Sequence, residues 1–329
     1  MYPVIAFFFL FSLTFQSLGG YEVEKLVILG AGPAGLTSSL FAAQAHLDPL
    51  VIEGDESEGQ ISAVYQLENY PGFPEGISGK ELVERLRRQA LFFGSRLRVG
   101  YPVRVDVTSS PFYIQLNDHS EIYCHSLIIA TGASPRWLGL EAEQALRGKG
   151  VSADALLDGA KHIGQEIVMV GGSDSALEQA LLLAELASHV TIIHKADHLS
   201  GASYLQQRIH DHHKISCLLQ TEVVDVEGVE VGFVRGVVVK NVQTQEICRL
   251  ACSALFVSNG RQPNTSLFKG QLEMTDRGYI VTKPDSTQTS ICGVFAAGDI
   301  RHVAYRKVTT AVASGCMAAI DAVQFLKER

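Results

Sequence analysis

The chain has 329 residues, 47% of them hydrophobic and 30 of them glycine, with a formal net charge of −8 at pH 7. This composition suits an α/β protein of two domains with many tight turns. It argues against nucleic acid as a main partner: a phosphate backbone wants a clustered basic surface, and the richest cationic run, ERLRRQALFFGSRLR at 84–98, has the spacing of a solvated helix face.

The N-terminal stretch MYPVIAFFFLFSLTFQSLGG is apolar from Val4 to Phe15 and then turns to small residues, with Ser17-Leu18-Gly19 readable as a cleavage site. It is too short for a comfortable membrane span and lacks a positive charge at its start. Two readings compete: an export signal, which makes the protein exported or envelope-associated, or a misplaced start ahead of a cytoplasmic enzyme. Hydrophobicity leans toward export. Either way residues 1–20 are a signal-peptide-like leader, set apart from the fold.

The clearest pattern follows. Lys25–Leu29 is a short apolar strand, and Gly30-Ala31-Gly32-Pro33-Ala34-Gly35 comes at once. A helix of small and apolar residues leads to a second strand, Leu50–Ile52, ending in Glu53. Strand, G-x-G-x-x-G, helix, strand and acid together make a dinucleotide-binding unit. Gly30 permits the tight turn, Gly32 lets the backbone approach a pyrophosphate, Gly35 lets the helix pack on the sheet, and Glu53 can take ribose hydroxyls. The helix N-terminus offers its N–H groups to the phosphates.

A second unit lies at 166–194: strand Ile167–Val170, turn Gly171-Gly172-Ser173-Asp174-Ser175-Ala176, a helix, and strand Val190–Ile193 ending in His194 instead of an acid. An acid there favours an unphosphorylated ribose; its absence is compatible with a 2′-phosphate without establishing one. The run His210-Asp211-His212-His213 reads as a solvated surface stretch of histidines that point apart, and no metal site is expected. Cysteines stand at 124, 217, 248, 252, 292 and 316, none in a C-x-x-C pair, and read as buried or incidental thiols. Late in the chain, a strand at Val294–Ala296 delivers Gly298-Asp299 to the sheet's C-terminal edge, where such sheets hold ligands.

GAGPAGL, EGQISAVYQLENYPGFPEGISGKEL, LIIATGA, VMVGGSDSALEQA, ALFVSNGRQPNT, GVFAAGDI and YRKVTTAVASGCMAAIDA occur in that order. From about Lys25 to Glu328 the sequence resembles the low-molecular-weight, bacterial-type thioredoxin reductases, flavoproteins that bind FAD and a nicotinamide nucleotide. The resemblance implies an α/β fold of two Rossmann-like dinucleotide-binding domains. The NAD(P) domain, 138–266, is inserted into a discontinuous FAD domain, 21–137 and 267–329, through connecting strands at Pro135–Leu140 and Gln262–Ser266. It implies that Gly30, Gly32, Pro33, Ala34 and Gly35 hold the FAD pyrophosphate and Glu53 the adenosine ribose. Gly59, Gln60 and Asn69 then line the flavin side, Thr131 and Gly132 close the first part of the domain, Gly298 and Asp299 meet the ribitol, and Lys307 and Val308 lie near the isoalloxazine edge. Gly171, Gly172, Ser173, Asp174, Ser175, His194 and Lys195 fall to NADPH or NADH. A homodimer is expected.

Two departures stand out. Where the family has G-V-S-x-C-x-x-C-D-G, this chain has Gly150-Val151-Ser152-Ala153-Asp154-Ala155-Leu156-Leu157-Asp158-Gly159, so Asp154 and Leu157 occupy the cysteine positions. Thiol–disulfide exchange needs a thiolate, which neither can supply. Asp158 matches the family's acid beside the disulfide; without thiols it reads as a structural aspartate near a helix start. Where the family has H-R-R-x-x-x-R to grip a 2′-phosphate, the chain has His194-Lys195-Ala196-Asp197-His198-Leu199-Ser200, with one cation left of three. The reading is an FAD-dependent NAD(P)H oxidoreductase whose electrons go to an unknown acceptor, a small protein or small molecule, instead of an internal disulfide. The alternatives are a non-catalytic FAD-binding redox sensor or interaction protein, and a ferredoxin/flavodoxin–NAD(P) reductase.

Overall fold

The computed structural model describes residues 22–54, 61, 67 and 70–329. The leader at 1–20 and three residues assigned to the flavin side, Gly59, Gln60 and Asn69, lie outside the described residues. Packing divides the chain into two units: Met1–Gly59, Val83–Gly132 and Thr265–Arg329 form one, Gln60–Leu82 and Ala133–Asn264 the other. The ends of the inserted unit thus fall at Ala133 and Asn264 instead of 138 and 266, and Gln60–Leu82 groups with that unit instead of the first.

In chain order the first unit begins with β1 (Val23–Leu29), α1 (Pro33–Gln44), β2 (Leu50–Glu53), α2 (Gly79–Phe92, in this unit from Val83), β3 (Arg96–Val99), β4 (Pro102–Asp106), β5 (Phe112–Leu116) and β6 (Glu121–Ile129). The second unit holds β7 (Ala133–Pro135), α3 (Glu141–Ala145), β8 (Val151–Ser152), α4 (Ala155–Asp158), β9 (Glu166–Val170), α5 (Asp174–Leu186) and β10 (His189–Ile193). It continues with α6 (Ser203–His210), β11 (Ile215–Leu218), β12 (Thr221–Glu227), β13 (Gly236–Asn241), β14 (Ile247–Ala251), β15 (Ala254–Val257) and β16 (Arg261–Pro263). The chain then returns to the first unit with β17 (Val294–Ala296) and α7 (Val308–Lys327).

The first unit is built on a sheet of order β3-β2-β1-β6-β5-β4, parallel from β3 to β6, with β17 pairing in parallel along Leu127–Ile129 of β6. Leu26, Val27, Ile28 and Leu29 of β1 are all fully buried, as expected of a parallel strand covered on both faces. One face packs Val27, Leu29, Ile52 and Leu127 against Phe268; the other packs Leu26, Ile28 and Ile128 against the small residues of α1 and α7. Those two helices approach closely: a Cβ on Gly315 would fall 2.3 Å from the carbonyl oxygen of Ala34, and Ser38 Oγ donates to the Gly315 carbonyl at 2.9 Å.

The second unit carries a fully parallel sheet, β11-β10-β9-β15-β8, and an antiparallel meander, β12-β13-β14. Ile167, Met169, Ile192 and Phe256 pack under α5 and α6, while Val168, Val170, Leu255 and Val257 pack against valines of the meander. In place of the expected connecting strands stand β7 and β16, shorter and starting earlier, which pair antiparallel from Ala133↔Pro263 to Pro135↔Arg261. The rest of the first one does not extend because Glu143, fully buried, accepts the N–H groups of Leu138 and Gly139 at 2.8 and 2.9 Å, satisfying backbone that a ladder would otherwise pair. In both sheets the strand order reverses beside the first strand of the nucleotide unit, β1 or β9, so both glycine turns lie where open α/β sheets bind ligands.

Candidate functional site

β1 ends at Leu29, and Gly30 turns the chain at φ +107°. A Cβ there would lie 2.4 Å from Ala130 O and 3.3 Å from Thr131 Cα, so the Thr131-Gly132 segment after β6 runs beside the turn. A Cβ on Gly35 would lie 1.8 Å from Gly30 O, which forces glycine where α1 closes on the turn. Gly32 is the opposite case: its backbone is extended and nothing lies within 4 Å of its Cβ position. That open side is where a pyrophosphate would meet backbone N–H groups. Pro33 occupies the helix start, where its missing N–H costs nothing, and Ala34 follows it. No side chain caps α1 and no acid stands in its first turn, so its positive end is unopposed by its own residues.

Glu53 closes β2 and is 6% exposed. Its two oxygens accept from both terminal nitrogens of Arg87, Nη2 at 2.9 Å from Oε1 and Nη1 on Oε2. A carboxylate has about four lone-pair positions, so ribose hydroxyls would share Glu53 with this fork. The cationic run is therefore not a plain solvated face. Arg87 stands three residues before the fully buried Ala90 and four after Val83, on the apolar stripe of α2, and that register was the available signal. Hydrogen bonding to Glu53 raises its pKa above the usual guanidinium value.

At the other end of this unit, Gly298 follows β17 at φ +76° and its N–H donates to Ser314 Oγ at 2.8 Å. Gly298, Asp299, Arg301, Tyr305, Thr310 and Ser314 line a cavity of about 170 Å³. Arg301 Nη2 donates to Thr282 Oγ1 and the Ser286 carbonyl, but Arg301 Nε is buried with no hydrogen-bond partner among the described residues. Burial lowers the Arg301 pKa. A buried guanidinium donor left unpaired is expensive, so the cavity is fitted to a group bearing acceptor oxygens. Together with the open Gly32 and the left-handed Gly298, these residues suit FAD. Lys307 caps α7, its N–H donating to Thr310 Oγ1 at 3.0 Å, and Val308 is the helix's first residue.

In the second unit Gly171, at φ +143°, is required by its neighbours: a Cβ would lie 2.6 Å from Ser258 O and 2.8 Å from Ala176 Cβ. Gly172 carries a roof, since a Cβ there would lie 2.8 Å from the His194 ring. The Gly172 carbonyl accepts the N–H groups of Ser200 and Gly201 at 2.8 and 2.9 Å, and Asp174 Oδ1 accepts that of Ala202 at 2.6 Å. The loop after β10 is thereby tied back onto the turn. Ser173 is the N-cap of α5 without a side-chain cap bond, and Ser173, Asp174 and Ser175 are exposed. Burial, and then the neighbouring His198, lower the His194 pKa. Lys195 Nζ donates to Glu222 Oε2 of β12 at 2.8 Å, and Asp197 pairs with His198 at 2.6 Å.

The segment Asp154–Asp158 is a capped turn. Asp154 is the N-cap of α4 and accepts the Leu156 N–H at 3.0 Å. Asp158 ends α4 and stands immediately before the 3₁₀ turn Gly159–His162, near a helix start as expected; its carboxylate makes no cap bond there but accepts from Ser152 Oγ at 2.6 Å and Lys161 Nζ at 2.6 Å. Leu157 is helical in backbone within α4. The Ala155 N–H donates to Gln179 Oε1 of α5 at 2.9 Å, fixing the turn on the nucleotide helix.

Elsewhere, Cys124 and Cys252 are buried, and burial pushes the Cys252 thiol up to about 12. Cys217, Cys248 and Cys292 are exposed. His212 and His213 do not point apart: their rings stack at 5.3 Å, 5° from parallel.

Comparison with known proteins agrees with this geometry. The family described as Pyridine nucleotide-disulphide oxidoreductase matches residues 24–315. A thioredoxin reductase of Rickettsia conorii is 43% identical over 305 residues, covering 92% of this chain and 98% of its own. Among solved structures, thioredoxin reductase from Lactococcus lactis superposes with a TM-score of 0.74 at 34% identity, covering 93% of this chain and 100% of that one. That from Giardia duodenalis gives 0.74 at 34%, covering 92% and 98%. The two parallel sheets are the two Rossmann-like domains of those enzymes, whose family uses FAD and NADPH. On its sequence and on its fold alike, the chain belongs to the FAD- and NAD(P)H-dependent pyridine nucleotide-disulphide oxidoreductases, among relatives of the thioredoxin reductase type.

Proposed function

We propose that this chain takes a hydride from NADH or NADPH onto bound FAD and delivers the two electrons to an acceptor outside the chain, never through a disulfide of its own. One observation carries the reading. The frame that needs a thiol pair holds Asp154 instead, with its carboxylate spent on the Leu156 N–H, and the sequence offers no other C-x-x-C pair. When bound, FAD supplies the hydride acceptance and the onward electron transfer. The chain's own residues bind and orient. The Gly30–Gly35 turn and the start of α1 hold a pyrophosphate, Glu53 a ribose, and the cavity beside Asp299 and Arg301 the polar part of the cofactor. The Gly171–Ser173 turn and the N-terminus of α5 hold the second nucleotide, beside His194. The acceptor is an oxidised small protein, a quinone or a soluble disulfide.

Anaerobic addition of NADH or NADPH should bleach the flavin, and an acceptor panel should restore its colour without turnover of thioredoxin. Sustained NADPH-driven reduction of thioredoxin overturns the reading. A second reading, an FAD protein without turnover, draws on the tied loop over Gly172 and the pairing of Lys195; it gains if neither nucleotide bleaches the flavin. A homodimer, expected from the relatives, is tested by sedimentation velocity.

A further inference from the structure

We infer that Glu222 is a specificity-determining residue that turns the nucleotide site of the second unit away from a 2′-phosphorylated ribose and toward NADH. The inference rests on the reading of the Gly171–Ser175 turn as a nicotinamide-nucleotide site. In such units the residues just beyond the second strand meet the ribose 2′ position. Here that strand is β10, and the next residues are His194 and Lys195. A 2′-phosphate there needs cations, and Ala196 and Ser200 supply none. Burial lowers the His194 pKa, which works against a positive charge on its ring. His198 is paired with Asp197.

That leaves Lys195, whose ammonium is bonded to Glu222 Oε2 at 2.8 Å. The carboxylate comes from a different element, β12, and the ladder places Lys240 of β13 directly opposite Glu222. Glu222 thus offsets the charge that Lys195 would lend to a phosphate. A 2′-phosphate must displace this carboxylate or sit beside it, two anions together; a 2′-hydroxyl meets no such penalty and can donate to the same carboxylate. As a stability device the pair is weak, because Lys195 is 71% exposed, so its position matters more for what it repels than for what it holds together.

The test is equilibrium titration of the oxidised, FAD-loaded protein with NAD⁺ and with NADP⁺, for wild type, Glu222→Gln, Glu222→Gln/Lys195→Met and Ser200→Arg. Glu222→Gln should tighten NADP⁺ about tenfold, leave NAD⁺ unchanged, and lose that gain both at high salt and in the double variant. Ser200→Arg should tighten NADP⁺ whatever Glu222 does, which locates the 2′ position independently. A wild type that binds nucleotide, together with a Glu222→Gln ratio that does not move, overturns this inference and leaves the site reading standing. Failure of every variant to bind either nucleotide overturns both.

Discussion

The first unit's glycine turn is bare on its ligand side, whereas the second unit's turn is roofed. Nothing lies within 4 Å of a Cβ at Gly32, while at the matching Gly172 the His194 ring stands 2.8 Å away and the loop after β10 is bonded to its carbonyl. The strand ends differ in the same sense. Glu53 is a buried acid held by an arginine; Lys195 is an exposed cation held by an acid. What the two turns share is backbone: both open with a glycine in the left-handed region whose Cβ would strike a carbonyl, Ala130 O in one and Ser258 O in the other. The turn geometry is imposed by packing within each fold, so it persists. The charges around the turn are imposed only by what binds, so they are where the two units diverge.

The largest effect should come from breaking the shared frame. Gly35→Ala puts a methyl 1.8 Å from Gly30 O, a backbone atom that cannot step aside. It should cost about 3 kcal/mol or more and release FAD, seen as a colourless protein of lowered Tm. Gly32→Ala meets no atom and keeps an ordinary backbone conformation. It should leave Tm unchanged yet weaken FAD about tenfold, because the methyl stands where phosphate oxygens approach. Equal losses of stability in the two variants would remove the distinction between packing and ligand glycines.

The next effect sharpens the contrast in charge. Ala196→Arg with Ser200→Arg should raise the preference for NADPH over NADH roughly a hundredfold, since each charge-assisted bond to the 2′-phosphate is worth about 1.5–3 kcal/mol. The rate of anaerobic flavin reduction with each nucleotide reads it. Strong NADPH preference in the unmodified protein would place the grip on residues other than these.

These differences bear on what the sequence could reveal. The strands and turns were legible because their determinants are local: β17 occupies the expected Val294–Ala296, and β9 and β10 each begin one residue early. Arg87 was not legible as a partner of Glu53, because a helix register marks an arginine as unusual without naming its acid 34 residues away. Lys195 could be counted as a remaining cation, but its neutralisation by Glu222 depends on a strand of another sheet. The caps were legible in part: Asp158 is structural and precedes the 3₁₀ turn Gly159–His162 as expected, while the N-cap bond of α4 falls to Asp154.

Arg87→Ala tests the anchored acid. Glu53 would keep its burial and lose its fork, leaving a nearly buried carboxylate without its counter-ion. Breaking a fully buried pair costs about 3–5 kcal/mol, and because the Arg87 side chain is 34% exposed, with water able to take its place, about 1–2 kcal/mol is expected here. Chemical denaturation should show this as a lower midpoint at unchanged slope. Glu53→Gln/Arg87→Ala should recover part of the loss, because no charge then remains to be solvated. A double variant less stable than Arg87→Ala alone would mean that Glu53 owes little to its charge.

The smallest effect concerns the segment Asp154–Asp158. Asp154 accepts the Leu156 N–H at the start of a helix only four residues long, and the N-cap bond is what its substitution removes there. Asp154→Ala should cost about 1 kcal/mol, and Asp154→Asn, which caps as well, nearly nothing. FAD content and the rate of flavin reduction by NADH should stay as in the wild type for both. If Asp154→Ala instead abolishes flavin reduction while the protein keeps its FAD and its fold, the carboxylate serves the chemistry, and the segment is a replaced active site and not a retired one. Asp154→Cys/Leu157→Cys presses the same point from the other side. It should lose the cap, gain a disulfide detectable as two thiols unreactive until reduced, and acquire electron transfer from the flavin to that disulfide. A double variant whose new thiols stay reactive would show that α4 no longer keeps the geometry a disulfide needs, and that the segment has drifted in shape as well as in chemistry.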